Sequence, residues 1–316
     1  MQIAACLLVY TLAVLTIAPW VLTRLTRSAR APRAGVAVWL AAMGSVVAAV
    51  VAAPFFLAAS VLHPTAGVDT LSLACIAALQ ALTFGGYGTG IQIAVLTVAI
   101  VVVLRLVWHL VRFFRVGRAR RHRHVEAARI VGRRVSGVDA VVLDSPERAA
   151  YCLPGRPRTI VITTGALDAL SDTELAAVLA HERAHLREHH HLVLACAHGL
   201  CRAFPRIPMF TAAALDIARL LECCADDAAA RRHGGGAVSG ALLALAGPHA
   251  PPQGALALAG PTAAERAERL LAPPDRIQQG SLRFVLIAAA VALLSGPVAT
   301  VVLSASGGSL CFLPNG

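Results

Sequence analysis

Four apolar stretches, residues 3–23, 36–61, 91–111 and 284–305, constrain this chain more than any other feature. A helix needs roughly 20 residues to cross the hydrocarbon core of a bilayer, and each stretch meets that length. A mean hydropathy of +0.70 points the same way. The expected fold class is an α-helical polytopic membrane protein with four transmembrane helices. Between the third and fourth stretches lies a more polar insert, 114–281, long enough for a mainly α, α+β domain with its own core. The chain thus divides into a membrane region (1–113, three spans), the inserted domain (114–281) and a closing segment (282–316, the fourth span and a short tail). The first stretch has no basic leader and no small-residue cleavage signal, so a retained span is expected rather than a signal peptide.

The basic residues set the expected orientation, and all of them are arginine. Arg24, Arg27, Arg30 and Arg33 fill the first loop, and nine arginines run from Arg112 to Arg134 just after the third stretch. Residues 62–90 and 306–316 contain none. By the positive-inside rule the amino terminus is extracytoplasmic and the insert cytoplasmic, in a multi-pass protein of the cell membrane. Leu71 to Phe84 is also apolar but too short to span, and is read as an interfacial helix. The net charge of +11 therefore reports topology. The run from Arg112 to Arg134 is expected to hold anionic lipid headgroups as a juxtamembrane belt, and no direct nucleic-acid partner is expected.

Inside the insert stands His181-Glu182-Arg183-Ala184-His185, an H-E-x-x-H pattern. Helical spacing of i, i+4 turns both imidazoles to one face, where they can share a zinc ion. Glu182 is then placed to act as the base on a water molecule. Ser171-Asp-Thr-Glu174 reads as a capping box at the start of that helix. A catalytic zinc site needs a third protein ligand and an open position. Glu222 is the expected one. It shares a face with Asp226 in a stretch otherwise flanked by Leu220, Leu221, Cys223, Cys224 and Ala225, where a carboxylate needs a partner. Asp226 is expected to accept the second N–H of a ligating histidine. His191 has the spacing of a rival ligand, but Glu188 stands where a chain-reversing glycine is needed. His189-His190-His191 is accordingly read as a polar helix end.

Strands are expected at Asp139–Leu143, Ala149–Leu153 and Arg158–Thr163. The last, just before the metal helix, is offered as an edge to which a peptide can add its backbone. A basic helix is expected through Val131. Residues 234–262, rich in Gly, Ala and Pro, are read largely as a flexible loop, and Ala263–Leu271 as a helix. The eight cysteines contain no C-x-x-C pair, so a thiolate metal site is not expected. Cys152, Cys196, Cys201, Cys223 and Cys224 are expected as free thiols, while Cys75 and Cys311 both fall on the outer side, where a disulfide is compatible with the topology.

With these residues in place, the chain resembles the BlaR/MecR-type regulatory membrane metallopeptidases, and more distantly the HtpX-like and CAAX-processing ones. The segments that carry the resemblance are Ala150-Tyr-Cys-Leu-Pro-Gly155, Ile160-Val-Ile-Thr-Thr-Gly165, Leu175 to Glu182, and Glu222-Cys-Cys-Ala-Asp226-Asp227. A protease set between a third and a fourth span is the BlaR/MecR layout. Eleven residues follow the fourth stretch, so the penicillin-binding sensor of that family is not expected here. The resemblance implies a gluzincin-type zinc metalloendopeptidase, one Zn2+ per chain, that hydrolyses peptide bonds at the cytoplasmic face. Its implied substrate is a protein or peptide, specifically a cytosolic transcriptional repressor cut in regulatory proteolysis. The competing enzymatic reading is HtpX-type quality control of membrane proteins. A non-enzymatic reading is a receptor or scaffold stabilised by zinc, against which the intact Glu182 argues. An extra donor for the oxyanion is expected, with Arg232 and His233 as candidates by position alone.

Overall fold

The computed structural model describes residues 2–62, 132–134, 140–155, 157–246, 263–272 and 275–305, with scattered positions between 97 and 115. Two long apolar helices open the chain, α1 (Gln2–Thr26) and α2 (Pro32–Leu62). A third, α9 (Arg276–Ala305), closes the described part. Among the described residues these three are long and apolar enough to cross a membrane, over Cys6–Thr26, Pro32–Ala53 and Arg276–Leu303. They pack on one another, with Tyr10 Oη donating to the Leu293 carbonyl at 2.8 Å. The expected span at 91–111 lies mostly outside the described residues; those described there, such as Leu104 and Val107, are helical. The 71–84 segment, most of the basic run, Cys75 and Cys311 lie outside as well.

A four-stranded sheet begins the domain: β1 (Arg133–Arg134), β2 (Val141–Leu143), β3 (Ala150–Leu153) and β4 (Thr159–Thr163), in the order β1-β2-β4-β3. β4 is parallel to β2 and antiparallel to β3, so among the described strands β3 is an edge, as β1 is, and the buried, β-branched β4 is interior. The edge expected at 158–163 is thus corrected to Ala150–Leu153. β4 is buried throughout, as a β-branched run flanked by strands on both sides should be.

Helices follow: α3 (Thr164–Ala169), α4 (Asp172–Arg187), α5 (His190–Ala203), α6 (Pro208–His233), α7 (Gly235–Ala246) and α8 (Ala263–Leu271). At the start of α4, the backbone N–H and hydroxyl of Ser171 both donate to Glu174, at 2.9 and 2.7 Å. α6 starts on Pro208, where the missing N–H costs nothing. It runs between the long apolar helices and α4. Phe210, Ile217 and Leu220, all fully buried, join Trp39 of α2 in one continuous core. Polar ties reinforce that seam. Asp216 accepts from Trp39 Nε1 at 2.6 Å and from Thr26 Oγ1, and Arg219 reaches the Thr26 carbonyl at 2.7 Å.

The loop expected across 234–262 is corrected over its first half, because residues 235–246 form α7. Only Gly234, with φ of +83°, serves the turn. Alanines and leucines, strong helix formers, make up more than half of α7, and Gly240 within it is there for packing: a Cβ on Gly240 would stand 2.4 Å from Glu174 Oε1 of α4. Residues 247–262 lie outside the described part.

Candidate metal centre and cleft

α4 and α6 cross so that the two motif segments face each other. Nε2 of His181 lies 3.1 Å from Nε2 of His185. Glu222 stands 3.5 Å from each, through Oε2 to His181 and Oε1 to His185. Ligands about 2.0–2.1 Å from a tetrahedral zinc ion stand roughly 3.3 Å apart, so the two imidazole nitrogens and the Glu222 carboxylate fit around one ion. His181, His185 and Glu222 form the group of possible metal ligands among the described residues, and His191 is not in it.

Each donor is held from behind. His181 Nδ1 lies 3.1 Å from Asp226 Oδ1, so Nε2 is the nitrogen turned to the centre. Asp226 is fully buried and is gripped by Arg266 of α8, Nε to Oδ2 at 2.8 Å and Nη2 to Oδ1 at 2.6 Å. Arg266 Nη1 also reaches Glu222 Oε2 at 3.2 Å. The neighbouring Asp227 takes Arg269 of the same helix at 2.7 Å. The sequence reading missed Arg266. Its signal was the i, i+3 pair Arg266/Arg269 on one face of α8, matched to two adjacent aspartates.

His185 is backed by His190, Nδ1 to Nδ1 at 2.9 Å. This corrects the reading of His189-His190-His191 as a polar helix end. α4 stops at Glu188, and His189 takes left-handed φ/ψ of 56° and 35°. The chain therefore turns at once into α5 and buries His190 to 3% exposure. The break expected only with a glycine occurs without one, since histidine tolerates this region better than most residues.

The electrostatics follow from burial and these contacts. Burial alone would lift Asp226 and Glu222, yet Arg266 and His181 hold Asp226 at about 2, and His181 and His185 hold Glu222 at about 2. Burial opposes charge on His181 too, but Asp226 and Glu222 raise it to about 9. His185, where burial dominates, falls to about 4. Glu182 is nearly buried, and burial pushes its carboxyl above the usual range, as suits a proton acceptor. Cys152 of β3 hydrogen-bonds to Glu182, and burial followed by that carboxylate pushes its thiol up to about 12. Cys152 is thus no nucleophile at neutral pH. Cys152, Cys196, Cys201, Cys223 and Cys224 are in no disulfide, as expected.

A cleft of about 410 Å3 opens over this centre. Its floor is His181, Glu182, Glu222 and Arg266; Ala149 and Ala150 of the edge-strand segment form one rim. Opposite them α7 supplies an apolar wall of Val238, Ala241, Leu242 and Leu245. Arg232 and His233 are exposed at the end of α6 and do not line the cleft.

Residues 117–273 match peptidase family M48. That stretch contains every residue of the centre and marks a metallopeptidase domain of a zinc-dependent family. No solved structure matches the chain.

Proposed function

We propose that this chain is a membrane-bound zinc endopeptidase in which His181, His185 and Glu222 hold the metal and Glu182 is the general base. The observation that carries the reading is two imidazole nitrogens and one carboxylate, 3.1–3.5 Å apart, converging beside a nearly buried glutamate in an open cleft. When bound, zinc supplies Lewis acidity toward the scissile carbonyl and lowers the pKa of water toward neutrality. Glu182 takes the proton from the attacking water and passes it to the leaving amine. Asp226 and His190 orient the two imidazoles from behind. The substrate backbone adds to the free edge of β3, and one of its side chains enters the apolar wall of α7.

The domain works at the cytoplasmic face with the amino terminus outside. The support is the arginine distribution: Arg24, Arg27, Arg30 and Arg33 lie in and beside the turn joining α1 to α2, on the domain side, and 62–90 has no arginine. Four spans complete the chain, the stretch at 91–111 supplying the third. The matched region then sits between that stretch and α9, the layout that favours regulatory cleavage of a cytosolic repressor over quality control.

Elemental analysis and peptide cleavage on the detergent-purified chain test this. Wild type should carry one zinc and cleave peptides. Glu182→Gln should keep the metal and lose activity by about 10²–10⁴-fold, the usual scale for a general base. Glu222→Ala should lose the metal, and His191→Ala should not. Wild type without stoichiometric zinc, or an active Glu182→Gln, refutes the assignment. Substrate capture with the Glu182→Gln chain then separates the roles: one repressor for regulation, many unfolded membrane proteins for quality control.

A further inference from the structure

On the side of α6 away from the metal donors, a second cleft of about 660 Å3 opens between α2, α6 and α9. Four arginines line it: Arg33 from α2, Arg231 from α6, and Arg276 and Arg283 from α9. Asp227 is the one acidic residue in the lining, and it is engaged by Arg269 at 2.7 Å. Arg33 is shared with Glu188 at 2.5 Å. Arg231, Arg276 and Arg283 make no hydrogen bond or ion pair among the described residues. Three guanidinium groups facing one cleft repel each other unless an anion joins them, and their planar forks match phosphate oxygens.

The location selects the kind of anion. The apolar windows of α2 and α9 begin at Pro32 and Arg276, so the cleft stands where both spans leave the bilayer on the domain side. Arg276, Gly280, Arg283 and Ile287 repeat at i, i+4, i+7 and i+11, one stripe along α9. Ala37 and Ile287 continue the cleft toward the apolar side, and Val291 and Leu294 further along α9 are exposed. A headgroup on the arginines therefore places its acyl chains along an apolar stripe, which a free phosphate cannot use. The amino-terminal ends of α2 and α9 also meet here and add positive potential.

We propose that this cleft is a binding site for one anionic phospholipid, its phosphate held by Arg231, Arg276 and Arg283 and its tails lying along α9 at Ile287. The site is separate from the arginine run at 112–134, and it does not rest on the peptidase reading.

Native mass spectrometry of the full chain tests it, with phosphatidylglycerol competing against phosphatidylcholine at equal concentration. Wild type should retain one phosphatidylglycerol through a wash that strips phosphatidylcholine. Each basic residue near an anionic headgroup contributes roughly a factor of five, so the triple variant R231Q/R276Q/R283Q should bind about a hundredfold more weakly. The control R118Q/R120Q/R121Q removes equal charge from the other basic run and should retain the lipid. Helical circular dichroism of each variant checks folding, and R276Q alone, with a smaller loss, stands in if the triple variant does not fold. Equal loss in cleft and control variants would mean diffuse attraction and overturn the site. So would no preference over phosphatidylcholine, or displacement by millimolar inorganic phosphate, which would make the ligand a free anion.

Discussion

Asp226 and Arg266 meet in a two-pronged ion pair, 2.6 and 2.8 Å, with the carboxylate at zero exposure. The pair joins α8 to α6 across 40 residues of sequence and leaves Asp226 Oδ1 in reach of His181. Removing one partner of a buried pair strands the other charge and costs about 3–5 kcal/mol. Asp226→Asn should therefore lower the melting temperature in detergent, and Arg266→Gln should do the same. Asp226→Asn should also weaken zinc binding about 10–100-fold, the usual effect of losing the group behind a ligating histidine. An Asp226→Asn chain that melts early but binds zinc normally would leave Asp226 a purely structural role.

His190 holds the other imidazole. With Nε2 of His185 turned to the centre, its Nδ1–H donates to Nδ1 of His190, whose own Nε2 lies 3.5 Å from Glu188. Burial keeps the pKa of His190 below its ordinary value, consistent with a neutral acceptor. His190→Ala should weaken zinc binding by about tenfold. A chelator competition on His190→Ala and His191→Ala decides the point. Equal, wild-type affinities would remove His190 from the centre.

Much of this centre was legible because its spacings are local. His181 and His185 share a face by helix geometry alone, and Glu222 with Asp226 stands out as acid among apolar neighbours. The strands at 141–143 and 159–163 announce themselves by β-branched residues, and the one at 150–153 by its place just before the Pro154-Gly155 turn signal. Which strand is the edge depends on a parallel crossover from β2 to β4, which composition does not encode. Arg266 was hidden because its partners lie 40 and more residues away. His190 was hidden because its burial hangs on one left-handed residue, His189. α7 was hidden because a glycine that packs against α4 looks, in sequence, like a glycine in a loop.

The paired pKa values of the histidines make metal binding pH-linked. A ligating imidazole must be neutral. His181, raised to about 9 in the metal-free chain, is protonated at neutral pH, while His185, lowered to about 4, is not. The proton on His181 competes with the metal below pH 9, so affinity rises with pH. Between about 4 and 9 one proton should leave per ion bound, with a slope near tenfold per pH unit. Calorimetry in two buffers of different ionisation enthalpy counts that proton directly. A count of zero at pH 7 would mean that His181 is already neutral.

The wall of α7 should set which side chain the cleft accepts. Leu242 and Leu245 are partly buried on that wall, so changing their size alters the space over the centre without touching a metal donor. Each methylene in an apolar pocket is worth about 1–3 kcal/mol, or 10–200-fold in kcat/KM between substrates. Leu242→Trp should narrow the space and cut kcat/KM for a peptide with a bulky aliphatic residue after the scissile bond by at least about tenfold. A matched alanine peptide should be spared, and zinc content should stay at one per chain. Leu245→Ala should shift preference the opposite way, toward aromatic residues. Equal losses on both peptides would place the bound side chain elsewhere and leave α7 as a packing helix only.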